Sequence, residues 1–352
     1  MRSTVLYQDA TRSAQIAGLR YVSDEQPGIK RLRWGRGFTY IDPDGNHLQQ
    51  GSQRDWIQSL AIPPNWEDVW ICINPNGHLQ ATGRDARGRK QYRYHPDWIQ
   101  LREQLKFDRL IPFANKLPDL RQQVRQQLAQ NHLELDRETI TAAIIQILDN
   151  TLIRVGNLHY SQTNGSYGLT TLQKRHVDIS ANHLTFQFRG KSGVEQEIDL
   201  HNRRLANIIR RCQEIPGYTL FKYIDEGGKY QTIDSGDINA YLQAVMGESF
   251  TAKDFRTWGG TVAACNVLAR TASDSTNLVT EAIKIAARQL GNRPATCRKY
   301  YIHPTIIDAY ETGWLSDYLL DWSPNPSSDL SEDEQRTLIV LDHNRDRVLA
   351  VA

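Results

Sequence analysis

The stretch DWIQLREQLKFDRL, residues 97–110, divides the chain into two kinds of sequence. It reads as a helix, and it is the first long one the sequence permits. Upstream, prolines at 63, 64, 75 and 96 interrupt any extended helix. The same region carries turn signals at short intervals, Asp44-Gly45, Asn76-Gly77 and Arg87-Gly88, with short apolar or alternating pieces such as FTYI (38–41) and VWICI (69–73) between them. Residues 21–100 therefore read as a small antiparallel β-rich domain.

Downstream the pattern turns helical. IPFANKLP reads as a connector and DLRQQVRQQLAQNHL as a helix. In RETITAAIIQILDNTLIRV, Ile140, Ile144, Ile147, Leu148 and Leu152 keep a helical period behind a plausible cap at Asp136. LTFQFRGKSGVEQEIDL breaks the helical run with a hairpin signal. Leu184, Phe186 and Phe188 share one face, and Val194, Gln196 and Ile198 alternate beyond a tight GKSG turn. Helices return in NRRLANIIRRCQE, DINAYLQAVM, TVAACNVLAR and VTEAIKIAARQLG, where Gly291 is a natural C-cap, and ESFTAKDFRTW reads as a polar-aromatic stretch ahead of one of them. SSDLSEDEQRTLIVL predicts a last helix with acidic residues at its start. The expected fold is α+β: a β-rich N-terminal domain over residues 1–105 and a mainly helical domain with a β-hairpin over residues 106–352.

The net charge of +2 hides an asymmetry. Residues 301–352 hold ten acidic residues against three arginines, a net of −7, which leaves +9 on the other 300 residues. A positive body with an acidic tail suits a polyanion such as DNA. The four cysteines, Cys72, Cys212, Cys265 and Cys297, lie far apart with no CxxC, which argues against a zinc knuckle or a disulfide framework and fits a reducing cytoplasm. No apolar run approaches the roughly 20 residues a membrane helix needs, and the N-terminus lacks the apolar stretch of a signal peptide.

Several residues carry chemistry only if the fold gathers them. Taken singly, Arg154 is a capping arginine at a helix end, Lys191 a solvated turn lysine, Arg256 an arginine stacked between Phe255 and Trp258, and Tyr300 and Tyr301 rim aromatics. Taken together they fit attack on a phosphodiester. Two arginine forks can hold the charge that grows on the non-bridging oxygens, a lysine can protonate a departing alkoxide, and a tyrosine can attack phosphorus. No HExxH motif and no GxxxxGK[ST] loop competes for the role.

In order along the chain, RWGRGFTYIDPDG (33–45), the run from IPPNWEDVW to QYRYHPDW (62–98), LIRVGNLHY (152–160), GSYGLTTLQKRHV (165–177), FRGKSG (188–193), KDFRTW (253–258) and LGNRPATCRKYYIHP (290–304) resemble the type IB DNA topoisomerases, in the small poxvirus-like branch also found in bacteria. The resemblance implies the catalytic fold shared with tyrosine recombinases and relaxation of supercoiled DNA through a 3′-phosphotyrosine, with no ATP, no required metal and no cofactor. It implies Tyr301 as nucleophile, since the family tyrosine directly precedes IHP. Arg154, Arg256 and Asn292 become the phosphate-binding residues and Lys191 the proton donor. Duplex contacts fall to Arg84, Arg89, Gln91, Tyr92 and Tyr94 in the small domain and to Tyr160. Arg93 departs from the aromatic the family often has there. The partner expected is double-stranded DNA, held by a monomer that closes as a clamp, away from membranes, in the cytoplasm with the nucleoid.

Two rivals differ in specific residues. A tyrosine recombinase would carry a histidine two positions before its second arginine, where this chain has Asp254, and a helical N-terminal domain. A non-catalytic DNA-binding protein would keep the basic body and leave the reactive side chains idle.

Overall fold

The computed structural model describes residues 9–86, 88–129, 135–247, 250–270 and 277–351. The chain forms two compact units, Met1–Arg109 and Leu110–Ala352.

The first unit contains α1 (Ala10–Ile16), β1 (Ile29–Trp34), β2 (Gly37–Ile41), α2 (Ser52–Ser59), β3 (Glu67–Ile71), β4 (Leu79–Arg84), β5 (Lys90–Tyr94) and α3 (Pro96–Asp108). The five strands make one antiparallel sheet in the order β2-β1-β3-β4-β5. Alternation along the strands sends Ile29, Tyr40, Val69, Ile71 and Ala81 into a core closed by Ile57 of α2. Arg31 lies in the same buried layer, and its guanidinium donates to the carbonyls of Ile62 (3.2 Å), Pro63 (3.0 Å) and Trp66 (2.7 Å). Those bonds tie down the proline-interrupted loop that the sequence left without regular structure. α1 and α2 were not legible: each is at most eight residues long, too short to show a period.

The second unit begins with α4 (Leu110–Ala129) and α5 (Arg137–Thr151). α4 corrects an expectation, because IPFANKLP is not a connector but the first part of this helix, with Pro118 inside it. The proline forfeits one backbone bond. Burial of Leu110, Phe113, Ala114, Leu117 and Leu120 along this helix outweighs that loss. In α5, Asp136 accepts the Thr139 N–H at 2.7 Å as expected of a cap, and Ile140, Ile144, Ile147 and Leu148 are fully buried.

After α6 (Leu158–Asn164) come β6 (Val177–Ser180), β7 (His183–Arg189) and β8 (Glu195–His201). The expected hairpin is present, with Arg189 opposite Glu195 and Leu184, Phe186 and Phe188 buried on one face. A third strand, β6, extends it. α7 (Arg203–Glu214), the small hairpin of β9 (Lys222–Ile224) and β10 (Tyr230–Thr232), and α8 (Ser235–Met246) lead to α9 (Ala252–Arg270). KDFRTW lies inside α9 rather than ahead of it. Asp254 explains the early start: its carboxylate accepts the Thr251 N–H at 2.7 Å and the Thr251 hydroxyl at 3.0 Å. α10 (Leu278–Gln289), α11 (Pro294–Tyr301), α12 (Pro304–Glu311), α13 (Trp314–Leu319) and α14 (Glu332–Val351) complete the unit.

The acidic start of α14 is docked, not free. Ser331 and Glu334 form a capping box, with the Ser331 N–H donating to Glu334 at 2.8 Å. Glu334 also accepts from Arg121 of α4 (2.7 Å) and from the indole of Trp258 in α9 (3.1 Å), while Arg121 binds Asp149 of α5 at 2.8 Å. All four cysteines are buried free thiols. No helix among the described residues is long and apolar enough to cross a membrane.

Candidate active site

Arg154 does not cap α5. That helix ends at Leu152, whose backbone is left-handed (φ 56°), and the chain then runs out with Ile153 and Val155 buried. The segment is held edge-on: the Leu169 N–H donates to the Arg154 carbonyl (2.9 Å) and the Thr170 N–H to that of Val155 (2.7 Å). Gly168 makes this crossing possible, since a methyl group there would lie 2.4 Å from the Arg154 oxygen. So fixed, the Arg154 guanidinium donates to the Asn292 side-chain oxygen, across 138 positions of sequence.

Arg256 arrives from α9 and is 4% exposed. One end of its fork donates to the Leu152 carbonyl and the other to the Leu290 carbonyl at 2.8 Å. Both acceptors terminate helices, α5 and α10, so the charge sits at two negative dipole ends. Its expected neighbours Phe255 and Trp258 point instead into the core, and the ring beneath its guanidinium is that of Tyr301, 5.3 Å away. The Arg256 Nε is buried and has no partner among the described residues.

Asn292 is placed by the way α10 stops. Gly291 is left-handed (φ +57°), its N–H donates to the Arg288 carbonyl (3.0 Å), and the Asn292 N–H reaches back to Ala287 (2.8 Å). This is a Schellman ending, and it turns the Asn292 oxygen to Arg154. The Asn292 Nδ2 is a second buried donor without a partner among the described residues. Beyond it, Pro294 opens α11, which delivers Tyr301 at its last turn.

Two glycines of α9 let these pieces meet. A methyl at Gly259 would lie 2.3 Å from Leu152, and one at Gly260 would lie 2.7 Å from the Tyr301 carbonyl oxygen. The next residue, Thr261, donates to that carbonyl at 3.3 Å and accepts the His303 N–H at 3.1 Å. The sequence shows only a Gly-Gly pair within a helical run, a signal of close approach that points to no particular partner. His303 caps α12 through its Nδ1, which accepts the Thr305 N–H at 3.1 Å.

The electrostatics follow from this geometry. Burial raises the pKa of the Tyr301 phenol, but the charges of Arg256 and then Arg154 outweigh it, and the net direction is down. Burial lowers Arg154, opposed by Tyr301. Arg256 is lowered by burial and secondarily by the Arg154 charge, to about 10, so it remains a cation at neutral pH. Tyr300, one residue away, is exposed, with the Lys299 ammonium 5.3 Å over its ring.

Lys191 lies at the β7–β8 turn, where Ser192 and Gly193 are both left-handed, and it lines the same cleft as Arg154 and Arg256. Its side chain has no polar partner among the described residues. The structure therefore gathers Arg154, Arg256, Asn292 and Tyr301 into one bonded cluster, with Lys191 at the mouth.

The residues expected to touch the duplex from the first unit lie on the β4–β5 hairpin. Asp85 organises it, accepting from Arg89 (2.8 Å) and Gln91 (3.0 Å). Tyr92 and Tyr94 stack on edge strand β5, with centroids 5.9 Å apart and planes 7° from parallel, and both are exposed. Arg84 is exposed beside the turn, donating to the Gly88 carbonyl at 3.0 Å. Arg93 is turned away and donates to the Ala61 carbonyl at 2.9 Å. Tyr160 falls in α6, but its side chain lies outside the described residues.

Two arginines beside a half-buried tyrosine, in a helical unit that follows a sheet unit, suit an enzyme class that works on phosphodiesters, and comparison with known proteins gives the family. A family model for the catalytic core of eukaryotic DNA topoisomerase I matches residues 95–314, and one for the N-terminal domain of bacterial DNA topoisomerase IB matches residues 37–85. The chain is similar to DNA topoisomerase 1B of Acanthamoeba polyphaga mimivirus, 33% identical over 296 residues, covering 81% of this chain and 88% of the relative. It is also similar to DNA topoisomerase I of monkeypox virus (24% over 261 residues, 72% and 80% covered) and to DNA topoisomerase 1B of vaccinia virus strain Copenhagen (23% over 261 residues, with the same coverage). The chain belongs to the type IB DNA topoisomerase family, whose ATP-independent relaxation of DNA passes through a phosphotyrosine intermediate.

Proposed function

We propose that Tyr301 is the residue that becomes linked to DNA, and that the link is to a 3′-phosphate. The supporting observation is the convergence of Arg154 and Arg256 on the Tyr301 phenol, which lowers its pKa against the effect of burial. In this reading the Tyr301 oxygen, its proton released to solvent water, forms a bond to phosphorus as the bond from phosphorus to the 5′-oxygen breaks. Lys191 gives that oxygen its proton, leaving a 5′-hydroxyl. Arg154, Arg256 and Asn292 stabilise the charge on the non-bridging oxygens, and Arg256 Nε and Asn292 Nδ2, without partners among the described residues, are donors suited to it.

The bond exchanged is one phosphate ester for another, so the 5′-hydroxyl can reverse the step after the free end has rotated about the intact strand. No ATP enters, and two fixed guanidinium groups supply the positive charge that a metal supplies in other phosphoryl transfers. The β4–β5 hairpin of the first unit adds duplex contacts through Arg84, Arg89, Gln91, Tyr92 and Tyr94, with Tyr160 contributing from the second, and the enzyme acts as a monomer on cytoplasmic DNA.

The test is relaxation of supercoiled plasmid in chelator, with denaturing gels for the covalent adduct. The parent protein and Tyr300→Phe are expected to relax DNA and form the adduct, and Tyr301→Phe to do neither. An adduct that persists in Tyr301→Phe would overturn the assignment.

A further inference from the structure

The side chain of Gln196 on β8 reaches both the turn that carries Lys191 and the turn that carries Asn292. Its stem lies over Gly190, where a methyl group would be 3.1 Å from the Gln196 Cγ. Its amide lies over Gly291, where a methyl group would be 2.5 Å from Oε1 and 2.6 Å from Nε2. The residues that follow those two glycines are Lys191 and Asn292. Gln196 also lines the cleft shared by Arg154, Lys191 and Arg256. The only hydrogen bond its amide makes among the described residues is a long one, 3.3 Å, to the neighbouring Glu195 carbonyl. Its contact with the two turns is therefore one of shape and not of polar pairing.

The two turns differ in how firmly they are held. The Asn292 turn is anchored to α10 by the Schellman bonds and to Arg256 through Leu290. The Lys191 turn closes on itself, with the Gly190 N–H donating to Val194 at 2.7 Å and the Gly193 N–H to Gly190 at 3.2 Å, and it carries two consecutive left-handed residues. Apart from the Tyr167 N–H bond to the Arg189 carbonyl (2.8 Å), the backbone hydrogen bonds of this tip stay within the hairpin among the described residues, so packing from outside contributes to its placement.

We propose that Gln196 is a positioning residue: a spacer that fixes the Lys191 turn against the Asn292 turn and so sets the reach of the lysine to the leaving 5′-oxygen. This rests on the reading of Lys191 as proton donor. Proton delivery falls steeply with misplacement, whereas phosphate binding by Arg154, Arg256 and Asn292 does not pass through the hairpin. Loss of the spacer should therefore impair leaving-group departure selectively.

The experiment compares single-turnover cleavage of two duplexes at a mapped site. One has the natural 5′-bridging oxygen and the other sulfur in its place, because a thiolate departs without a proton. Gln196→Ala is expected to cut the oxygen duplex about tenfold more slowly than the parent and the sulfur duplex at the parent rate. Gln196→Met, which keeps the length and loses the amide, is expected to stay within about twofold of the parent on both. Equal slowing of Gln196→Ala on the two duplexes, or no slowing on the oxygen duplex, would overturn the proposal. Lys191→Ala separates the two readings. If sulfur does not restore Lys191→Ala, the proton-donor assignment is wrong. If sulfur restores Lys191→Ala but not Gln196→Ala, only the spacer role is lost.

Discussion

Arg256 donates to the carbonyl of Leu152, the left-handed residue that ends α5, and so joins the second arginine of the cluster to the chain two residues before the first. The same guanidinium reaches Leu290 with its other arm. A lysine has one ammonium and no fork, and cannot span both carbonyls while facing a phosphate. Arg256→Lys is therefore expected to slow covalent adduct formation by roughly a hundredfold, on the order of 3 kcal/mol, with duplex affinity nearly unchanged. Rapid-quench adduct assays beside equilibrium binding would show the split.

The lowered pKa of Tyr301 fixes the sign of a pH effect. In the proposed mechanism the phenolate is the attacking form, so cleavage should rise with pH and level off below the ordinary tyrosine value of 10. Removing a positive charge restores the penalty of burial, so Arg154→Ala should move the inflection upward as well as lower the plateau. A pH–rate profile for single-turnover cleavage measures both, and an inflection that does not move would contradict the electrostatic account.

Gly260 tests the close approach. An added methyl would lie 2.7 Å from the Tyr301 carbonyl oxygen and 2.9 Å from Leu290 Cδ1, and a backbone atom cannot swing aside as a side chain can. Gly260→Ala should cost about 1–3 kcal/mol of stability and displace the tyrosine. Thermal unfolding and adduct formation should fall together, whereas Gly227→Ala, in an exposed turn with its nearest neighbour 3.3 Å away, should leave both near the parent values.

The anchor of α14 predicts an acid sensitivity. Burial raises the Glu334 pKa, but the Arg121 bond outweighs it and holds the group below its ordinary 4.5. A depressed folded pKa means stability that is present at neutral pH and is lost as pH falls from 4.5 toward the folded value. Glu334→Gln should be destabilised by about 3 kcal/mol at pH 7, the low end for a broken buried pair because Asp149 still faces Arg121. The difference from the parent should narrow at lower pH, as read by denaturant unfolding across pH 3–7.

On the small unit, Arg84 and Tyr92 should behave differently. Loss of a phosphate-facing cation lowers the salt dependence of binding, by about one in the slope of log K against log salt, whereas loss of a stacked ring weakens binding and leaves the slope intact. Arg84→Ala and Tyr92→Ala, titrated on duplex DNA at several salt concentrations, should separate along those lines.

The sequence named candidate reactive residues but not the supports that bring Arg154, Arg256, Asn292 and Tyr301 together. The hairpin of Leu184, Phe186 and Phe188, the Asp136 cap and the Gly291 stop were legible because each is a local pattern within one element. The connector misread at IPFANKLP shows the converse: Pro118 is a strong local signal, yet long-range burial of Phe113 and Leu117 overrode it. The start of α9 was hidden because Asp254 caps it from inside, in a stretch rich in polar and aromatic residues. The carbonyls of Leu152 and Leu290 could not be anticipated from residue types, since every residue has a carbonyl and only the turn geometry presents these two. Choosing between Tyr300 and Tyr301 also needed more than spacing, and here the exposure of one and the arginine charge beside the other differ.

The distance in sequence between Arg154 and Tyr301 has a consequence for the cell that makes this protein. The tyrosine leaves the ribosome last among the four clustered residues, and its arginines are aligned only when α5, α9 and α10 have met. In the proposed mechanism, a chain clipped before α11 keeps Arg154, Lys191 and Arg256 but lacks the tyrosine that becomes linked to DNA. The cleaving step then belongs only to a chain whose α5, α9, α10 and α11 have all been made.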